Sequence, residues 1–305
     1  MDLSTIAYHK SEFKKLSDCT VNVATHALQY GTAVFGGVRG YYSKGMDNLL
    51  IFRIDRHFKR LHQSAKMMRM TPPLSEKEMA NILIQVARFN NYRQNVYFRP
   101  FLYKAAEQLS PRFHDVKDEF SLYSLRLDDY LETNKGLSAC VSSWRRIDDN
   151  IIPTRGKVSG GYANSGLAKS EAVENGYDEA IFLDLRGFVC EGSAENIFMV
   201  RDGVLVTPPV AASVLEGVTR RSVLELAKSE GIPVEERDIA RAELYVADEV
   251  FFTGTGAQIA WVSSIDHRVI GTEVGPVTNK LRSRFLKCVL GEDSEFKQWV
   301  TPVYE

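Results

Sequence analysis

The dipeptide Asp202-Gly203 sits between two apolar runs, Ile197–Val200 and Val204–Thr207. Both residues tolerate the positive φ that a two-residue hairpin turn requires, so this stretch predicts a pair of antiparallel strands. A second turn, Leu185-Arg186-Gly187, separates Ala180–Asp184 from Phe188–Cys190. Helical patterns surround these pairs. Ala163–Asn175 stops at Gly176, a residue suited to the left-handed position after a helix. Another helix takes Thr219 as its cap and ends at Gly231, and a last one opens at Pro276 and ends near Gly291. Ser138–Trp144 and Glu249–Phe252 read as further strands. Hairpins mixed with helices predict α+β with largely antiparallel sheets, not a doubly wound parallel sheet.

The first third follows the same logic. Leu49–Arg53 reads as a strand, and Asp55 as the N-cap of a helix through Met68 with Phe58, Leu61, Ala65 and Met68 on one face. Glu76–Phe89 is a second amphipathic helix. Asn95–Tyr103 reads as a strand that Pro100 marks as interrupted or at a sheet edge. The polar stretch Leu131–Gly136 is the best linker. With 305 residues and ~150 residues per domain, the expected division is a small N-terminal domain 1–130, a linker 131–137 and a large C-terminal domain 138–305.

Charge and cysteine usage narrow the function classes. Lys+Arg is 38 and Asp+Glu is 39, a net charge of −1. Such a chain has no basic field for a polyanion, which argues against a nucleic-acid or membrane-surface binder but leaves room for a local cationic pocket. The four cysteines and six histidines are scattered, so neither a disulfide framework nor a metal site is expected, and a reducing cytoplasm fits best. No run reaches the ~18 apolar residues of a spanning helix. Met1–Thr5 has no basic start followed by an apolar run, so no secretory signal is expected.

Four segments combine glycines with reactive or anion-binding side chains. In Arg155–Tyr162, glycines flank Lys157 just before a helix. A buried lysine beside a ligand can lose its proton and condense with a carbonyl; on this segment alone a solvated loop lysine is the commoner reading. Glu191–Asn196 places two carboxylates and an amide in a tight turn, where they could cap the next element or meet a cationic nitrogen. Leu215–Arg220 lies at a helix start, whose N–H groups suit an anion. Thr253-Gly254-Thr255-Gly256 follows a strand and offers more N–H groups and hydroxyls. A lysine nucleophile, a carboxylate and two Gly/Thr turns are together what pyridoxal phosphate needs: an amine for its aldehyde, an acid for its ring nitrogen and a grip for its phosphate.

The chain resembles the class-IV (fold-type IV) pyridoxal-phosphate aminotransferases, and among them the branched-chain amino acid aminotransferases. The resemblance runs from about His26 to Gly291, through His26–Thr32, Asp55–Lys66, Tyr97–Pro100, Lys157–Tyr162, Glu191–Asn196, Glu216–Arg220 and Thr253–Thr255. It implies an α+β fold of two domains with the cofactor between them. Lys157 is then the Schiff-base lysine and the acid and base of the proton shift. Tyr162 meets the cofactor's phenolic oxygen and Glu191 its pyridine nitrogen. Arg60, Val218, Thr219 and Thr255 hold the phosphate, and Leu215 packs on the ring. Tyr30, Arg39, Tyr97 and Arg99 line the substrate pocket, and Gly256 and Ala257 offer amides to the substrate carboxylate. Family members are at least dimeric, which makes Gln108–Arg112 a candidate cover over a neighbour's site and a homodimer or higher homo-oligomer the expected assembly.

Two departures stand out. The family's usual Phe-Glu-Gly before its arginine is here Phe35-Gly36-Gly37, and its usual Asn before the tyrosine is here Gly161. Both remove polar side chains near the pocket, and the glycine pair is expected to free Arg39. The leading expectation is transfer of an amino group between branched-chain L-amino acids and 2-oxoglutarate. The alternatives are a related transaminase for D-amino acids or (R)-amines, an aminodeoxychorismate lyase, and, from another class, a catalytically silent binder of a phosphorylated ligand.

Overall fold

The structure is a computed structural model that describes residues 1–127 and 135–304. It divides into two compact units, each built on one sheet. The first unit comprises Met1–Asp128, Gly156–Gly160 and Lys287–Glu305; the second comprises Asp129–Arg155 and Gly161–Leu286.

The first unit runs β1 (Ile6–His9), β2 (Glu12–Lys15), α1 (His26–Tyr30), β3 (Ala33–Phe35), β4 (Val38–Ser43), β5 (Asn48–Phe52), α2 (Ile54–Met67), α3 (Glu76–Phe89), β6 (Val96–Lys104) and β7 (Asp118–Arg126). Its antiparallel sheet has the order Val300–Pro302, β5, β4, β6, β7, β1, β2, with β3 also on β6. α2 forms because Phe58, Leu61 and Ala65 recur at helical spacing and are buried. α3 matches its predicted span, and Ser75 and Glu78 close a capping box at its start.

Two expectations need correction here. Asp55 does not cap α2 but lies in its first turn; the cap is Arg53, in the left-handed region at φ 45°. That conformation is held from outside the helix. Arg53 N–H donates to Trp299 O at 2.6 Å, and its guanidinium lies 4.3 Å from the Trp299 ring centroid. Nor is β6 an interrupted or edge strand: it pairs with β7 from Val96 to Lys104. On its other side β4 pairing ends at Val38–Phe98 and β3 pairing resumes at Phe35–Phe101. Pro100 lies between, where Gly36 N–H donates to its carbonyl at 2.8 Å. Pro100 can return no N–H to Gly36, so one bond is missing on this side, between two partner strands, while the pairing with β7 runs the full length of β6.

The second unit runs β8 (Leu137–Arg145), α4 (Tyr162–Glu174), β9 (Glu179–Leu183), β10 (Val189–Gly192), β11 (Asn196–Arg201), β12 (Val204–Thr207), α5 (Val218–Ser229), β13 (Val234–Glu236), β14 (Glu249–Gly254), β15 (Gln258–Ile265) and β16 (Arg268–Val269); α6 (Pro276–Val289) starts in it. The sheet order is β10-β9-β8-β15-β14-β11-β12-β13, with β16 on β15. Parallel pairs at β8–β9, β8–β15 and β12–β13 make this sheet mixed, whereas the first is antiparallel as expected. Alternate residues of β9 enter two different clusters, Ile181 and Leu183 in one, Ala180 and Phe182 in the other with Ala168 and Ala172 of α4. Burial on both faces explains its unbroken apolar run. Asp202 and Gly203 take φ of 51° and 76°, the predicted hairpin turn. The buried Glu249 accepts from the N–H groups of Val277 and Thr278 and so caps α6.

The units do not follow the single cut expected at 131–137, and residues 131–134 of that linker lie outside the described residues. Residues 156–160 and 287–305 group with the first unit because they hydrogen-bond into it. Val158 bridges Val34, and Val300–Pro302 pairs with Phe52–Leu50. Among the described residues, no helix is long and apolar enough to cross a membrane.

Candidate active site

In the first unit everything converges on the short segment that carries Lys157. Gly31 closes α1 at φ +66°, and a Cβ there would stand 2.8 Å from Gly160 Cα, so only glycine fits. This close approach lets Gly160 N–H donate to Gly31 O at 3.1 Å, while Phe35 N–H donates to Lys157 O at 3.0 Å. Lys157 is thereby laid along β3 like an added strand. Its own N–H is received at 3.2 Å by Ser64 Oγ, from the buried face of α2. Lys157 Nζ lies 5.3 Å from the Phe35 ring centroid.

The same helix carries Arg60 and His57. His57 is buried, and its ring is held well below the usual histidine range, first by burial and then by the charges of Arg60, Lys157 and Arg53. A neutral imidazole among three cations marks a region of positive potential suited to an anion.

β4 and β6 present the other predicted residues. Arg39 and Tyr97 are cross-strand partners, and Arg99 lies two residues on, so all three share one face. Arg99 donates to Tyr97 Oη at 3.0 Å and lies over the Phe35 ring at 4.6 Å. Arg39 is fully buried, 5.0 Å from the Tyr41 ring centroid. Tyr30, at the end of α1, is exposed and packs on the His26 ring. His26 bonds Thr32 Oγ1 and Ser110 O, which ties the loop Gln108–Arg112 to α1.

The glycine pair does not act through backbone freedom, because neither Gly36 nor Gly37 has positive φ. Space decides. A Cβ at Gly37 would lie 2.0 Å from Tyr97 Oη, and one at Gly36 would lie 3.0 Å from Pro100 Cγ. The first contact excludes any side chain while Tyr97 keeps its place. At Gly161 a Cβ would meet Ile147 Cδ1 at 3.2 Å.

The second unit organises its residues around Glu191. This buried carboxylate receives Arg146 Nη2 on Oε1 at 3.0 Å, and Asn196 Nδ2 and Leu215 N–H on Oε2 at 3.1 and 3.0 Å. Asn196 Nδ2 also donates to Leu215 O at 2.8 Å. Gly217 lies against the same amide, since a Cβ there would stand 2.1 Å from Asn196 Oδ1. Glu191, Leu215 and the start of α5 are therefore fixed by one asparagine. α5 is capped by Gly217, not Thr219, which is the second helical residue and buried. That leaves the Thr219 hydroxyl clear of the capping role predicted for it.

The turn predicted at Thr253–Gly256 is shifted. Thr253 and Gly254 are still in β14, and Thr255–Ala257 connect it to β15 with Gln258 at φ 56°. Gly254 packs on the Glu195 side chain, 3.4 Å from Cγ to its ideal Cβ. This sets the turn beside the Glu191–Asn196 segment. Tyr162 is the first residue of α4 and half-buried.

Ser64, His57, Phe35 and Arg146 were not expected from the sequence. Ser64 and His57 lie inside the recognised Asp55–Lys66 segment, and Phe35 precedes the glycine pair. Arg146 has no local signal, because its partner is 45 residues away (191 − 146).

A family model described as amino-transferase class IV matches residues 35–265. A probable branched-chain-amino-acid aminotransferase of Aquifex aeolicus is 42% identical over 301 residues, 98% of this chain and 97% of that protein. The crystal structure of a branched-chain aminotransferase from the archaeon Thermoproteus uzoniensis with norvaline has a TM-score of 0.96 at 38% identity, covering 99% of this chain and 100% of that one. A branched-chain amino acid aminotransferase from Thermobaculum terrenum in its PLP form has a TM-score of 0.95 at 36% identity, covering both chains fully. A match of the family model over most of the chain, with full-length relatives of the same description, makes this chain an enzyme of the class-IV aminotransferase family.

Proposed function

We propose that the enzyme moves an amino group between branched-chain L-amino acids and 2-oxoglutarate with pyridoxal phosphate. The observation that carries this reading is the fixed Lys157, laid along β3 and bonded to the helix that holds Arg60. The donor set suits the cofactor: an amine, a region of positive potential for the phosphate and a buried carboxylate for the ring nitrogen.

When bound, pyridoxal phosphate supplies an aldehyde for the amine and a ring that accepts electrons. Lys157 Nζ would be the amine that holds the cofactor by its aldehyde and, once the substrate's amine has displaced it, the base for the substrate's Cα proton. Glu191 holds a proton on the ring nitrogen by opposite charge. Arg60, the Val218–Thr219 helix start and Thr255 grip the phosphate, Tyr162 binds the phenolic oxygen, and Leu215 packs on the ring. Arg39, Arg99, Tyr97, Tyr30 and the amides of Gly256 and Ala257 bind the substrate, with the two guanidiniums taking its carboxylates.

The natural assembly in this reading is a homodimer or higher homo-oligomer in the cytoplasm, with Gln108–Arg112 as a cover over a neighbour's site. Sedimentation of the loaded enzyme tests the assembly. Borohydride reduction and peptide mapping should put the pyridoxyl adduct on Lys157, and an adduct on Lys104 or Lys169 overturns the assignment. Leucine, isoleucine and valine should lead an amino-donor panel run with 2-oxoglutarate. A panel led by D-amino acids or by (R)-1-phenylethylamine refutes the substrate class.

A further inference from the structure

Arg146 has no counterpart among the roles above, yet its guanidinium makes a charged contact with the Glu191 carboxylate. It follows β8, and its N–H donates to Leu183 O at 2.9 Å. Its guanidinium lies 5.6 Å from the Phe182 ring centroid and reaches Glu191 Oε1 at 3.0 Å. The side chains of the pair are only 10% and 7% exposed. Burying two charges is costly, and an ion pair this dry is weak evidence of stabilisation, because an apolar pair of similar volume would serve as well. Asn196 and Leu215 already satisfy Oε2 with neutral donors. What Arg146 adds is a positive charge.

A buried carboxylate without a cation beside it rises in basicity and competes for any proton nearby. A cation in contact with that carboxylate disfavours the proton there most strongly. We propose that Arg146 is a positioning residue that keeps the proton shared by Glu191 and the cofactor's ring nitrogen on the nitrogen. The proposal rests on the role given to Glu191 above. It makes the ring's capacity to accept electrons depend on a residue that does not touch the ring, acting through the carboxylate.

The test is the ring-nitrogen resonance of the enzyme loaded with pyridoxal phosphate that is 15N-labelled in the ring, read alongside kcat and KM for leucine. The parent should show a protonated nitrogen. Arg146→Gln, which keeps a donor but removes the charge, should move the resonance toward unprotonated pyridine. A change of one pKa unit in the partition is tenfold, so kcat should fall by about tenfold or more with a much smaller change in KM. Arg146→Lys keeps the charge and should keep the protonated resonance. Loss of that resonance in a folded Arg146→Lys enzyme overturns the proposal even where Arg146→Gln does not fold. Glu191→Gln separates the two readings. If it leaves the resonance unmoved, the role of Glu191 fails and takes this proposal with it. If Glu191→Gln moves the resonance and Arg146→Gln does not, only the role of Arg146 fails.

Discussion

Gly217→Ala isolates the part played by Asn196. Gly217 has φ −65° and ψ 138°, values open to any residue, so alanine brings no backbone strain. The cost is steric. The new Cβ would stand 2.1 Å from Asn196 Oδ1. An ordinary carbon–oxygen contact is roughly 3.3 Å, so the amide must retreat by about 1.2 Å. A free asparagine would do this easily. Here Nδ2 of the same amide donates at 3.1 Å to Glu191 and at 2.8 Å to Leu215 O, and neither bond survives such a retreat. Losing the neutral bond costs about 1 kcal/mol and the bond to the carboxylate about 2 kcal/mol, for a total of about 3 kcal/mol. At ~2–4 °C per kcal/mol for a unit of this size, the melting temperature should fall by about 6–12 °C. Calorimetry on the single and double variants provides the assay. In an Asn196→Ala background the obstacle is gone, and Gly217→Ala should be neutral or stabilise by up to about 1 kcal/mol through the unfolded chain. A Gly217→Ala enzyme melting within 2 °C of the parent (about 0.5–1 kcal/mol on the same scale), or the same penalty in both backgrounds, refutes the steric argument.

Three further outcomes follow from the first unit. His57 is neutral in the fold and titrates well below an unfolded histidine, chiefly through burial. The unfolded chain therefore binds a proton first, and stability should be full above about pH 6.5 and fall below it by up to about 1.4 kcal/mol per pH unit until the folded ring titrates; a denaturation series in which His57→Gln leaves the slope below pH 6.5 unchanged contradicts this. Gly37→Ala pushes Tyr97 Oη from its place and breaks its bond to Arg99. A hydrogen bond to a charged group is worth roughly 1.5–3 kcal/mol, so kcat/KM for amino donors should fall by about 10- to 100-fold; Tyr97→Phe, which deletes the same bond, should cost a similar amount, and parent-like kcat/KM in both variants contradicts the argument. Ser64→Ala removes the acceptor of Lys157 N–H; hydrogen exchange at that amide should accelerate by about fivefold for a bond of roughly 1 kcal/mol, and unchanged protection would assign the clamp to β3 alone.

Local chemistry was readable wherever the chain's neighbours decide the outcome. The Asp202-Gly203 hairpin, the span of α3 and the glycines ending α4 and α5 follow from turn and cap preferences within a few residues. The caps of α2 and α5 were misread because Asp55 and Thr219 are suitable residue types two places inside the true caps. Arg53 could not be foreseen as a cap, since a tryptophan near the other end of the chain holds it there. The site was legible as separate segments: Lys157, Glu191 and the α5 start each bear a local pattern. What joins them within a unit was not. Ser64 reaches Lys157 across 93 residues and Arg146, just after β8, reaches Glu191 in β10 past the intervening β9, and no spacing rule encodes such distances. Pro100 misled for the same reason: whether a proline breaks a ladder depends on its partner strands.

The strand Val300–Pro302 also bears on how the protein is made. It covers the outer edge of β5, and with it come the buried Trp299 and Val303. Asn48 waits for the same segment, giving Nδ2 to Tyr304 O and receiving the N–H groups of Val303 and Tyr304. On the ribosome, the first unit begins to emerge long before these residues are synthesised. Until Trp299–Pro302 has been made, β5 has an open edge, and Arg53 lacks the ring and carbonyl that hold its left-handed turn. An open edge of this kind pairs readily with other chains. A nascent chain stalled before Trp299 should therefore be a substrate for holding chaperones. Supplying the last residues as a separate peptide should release it.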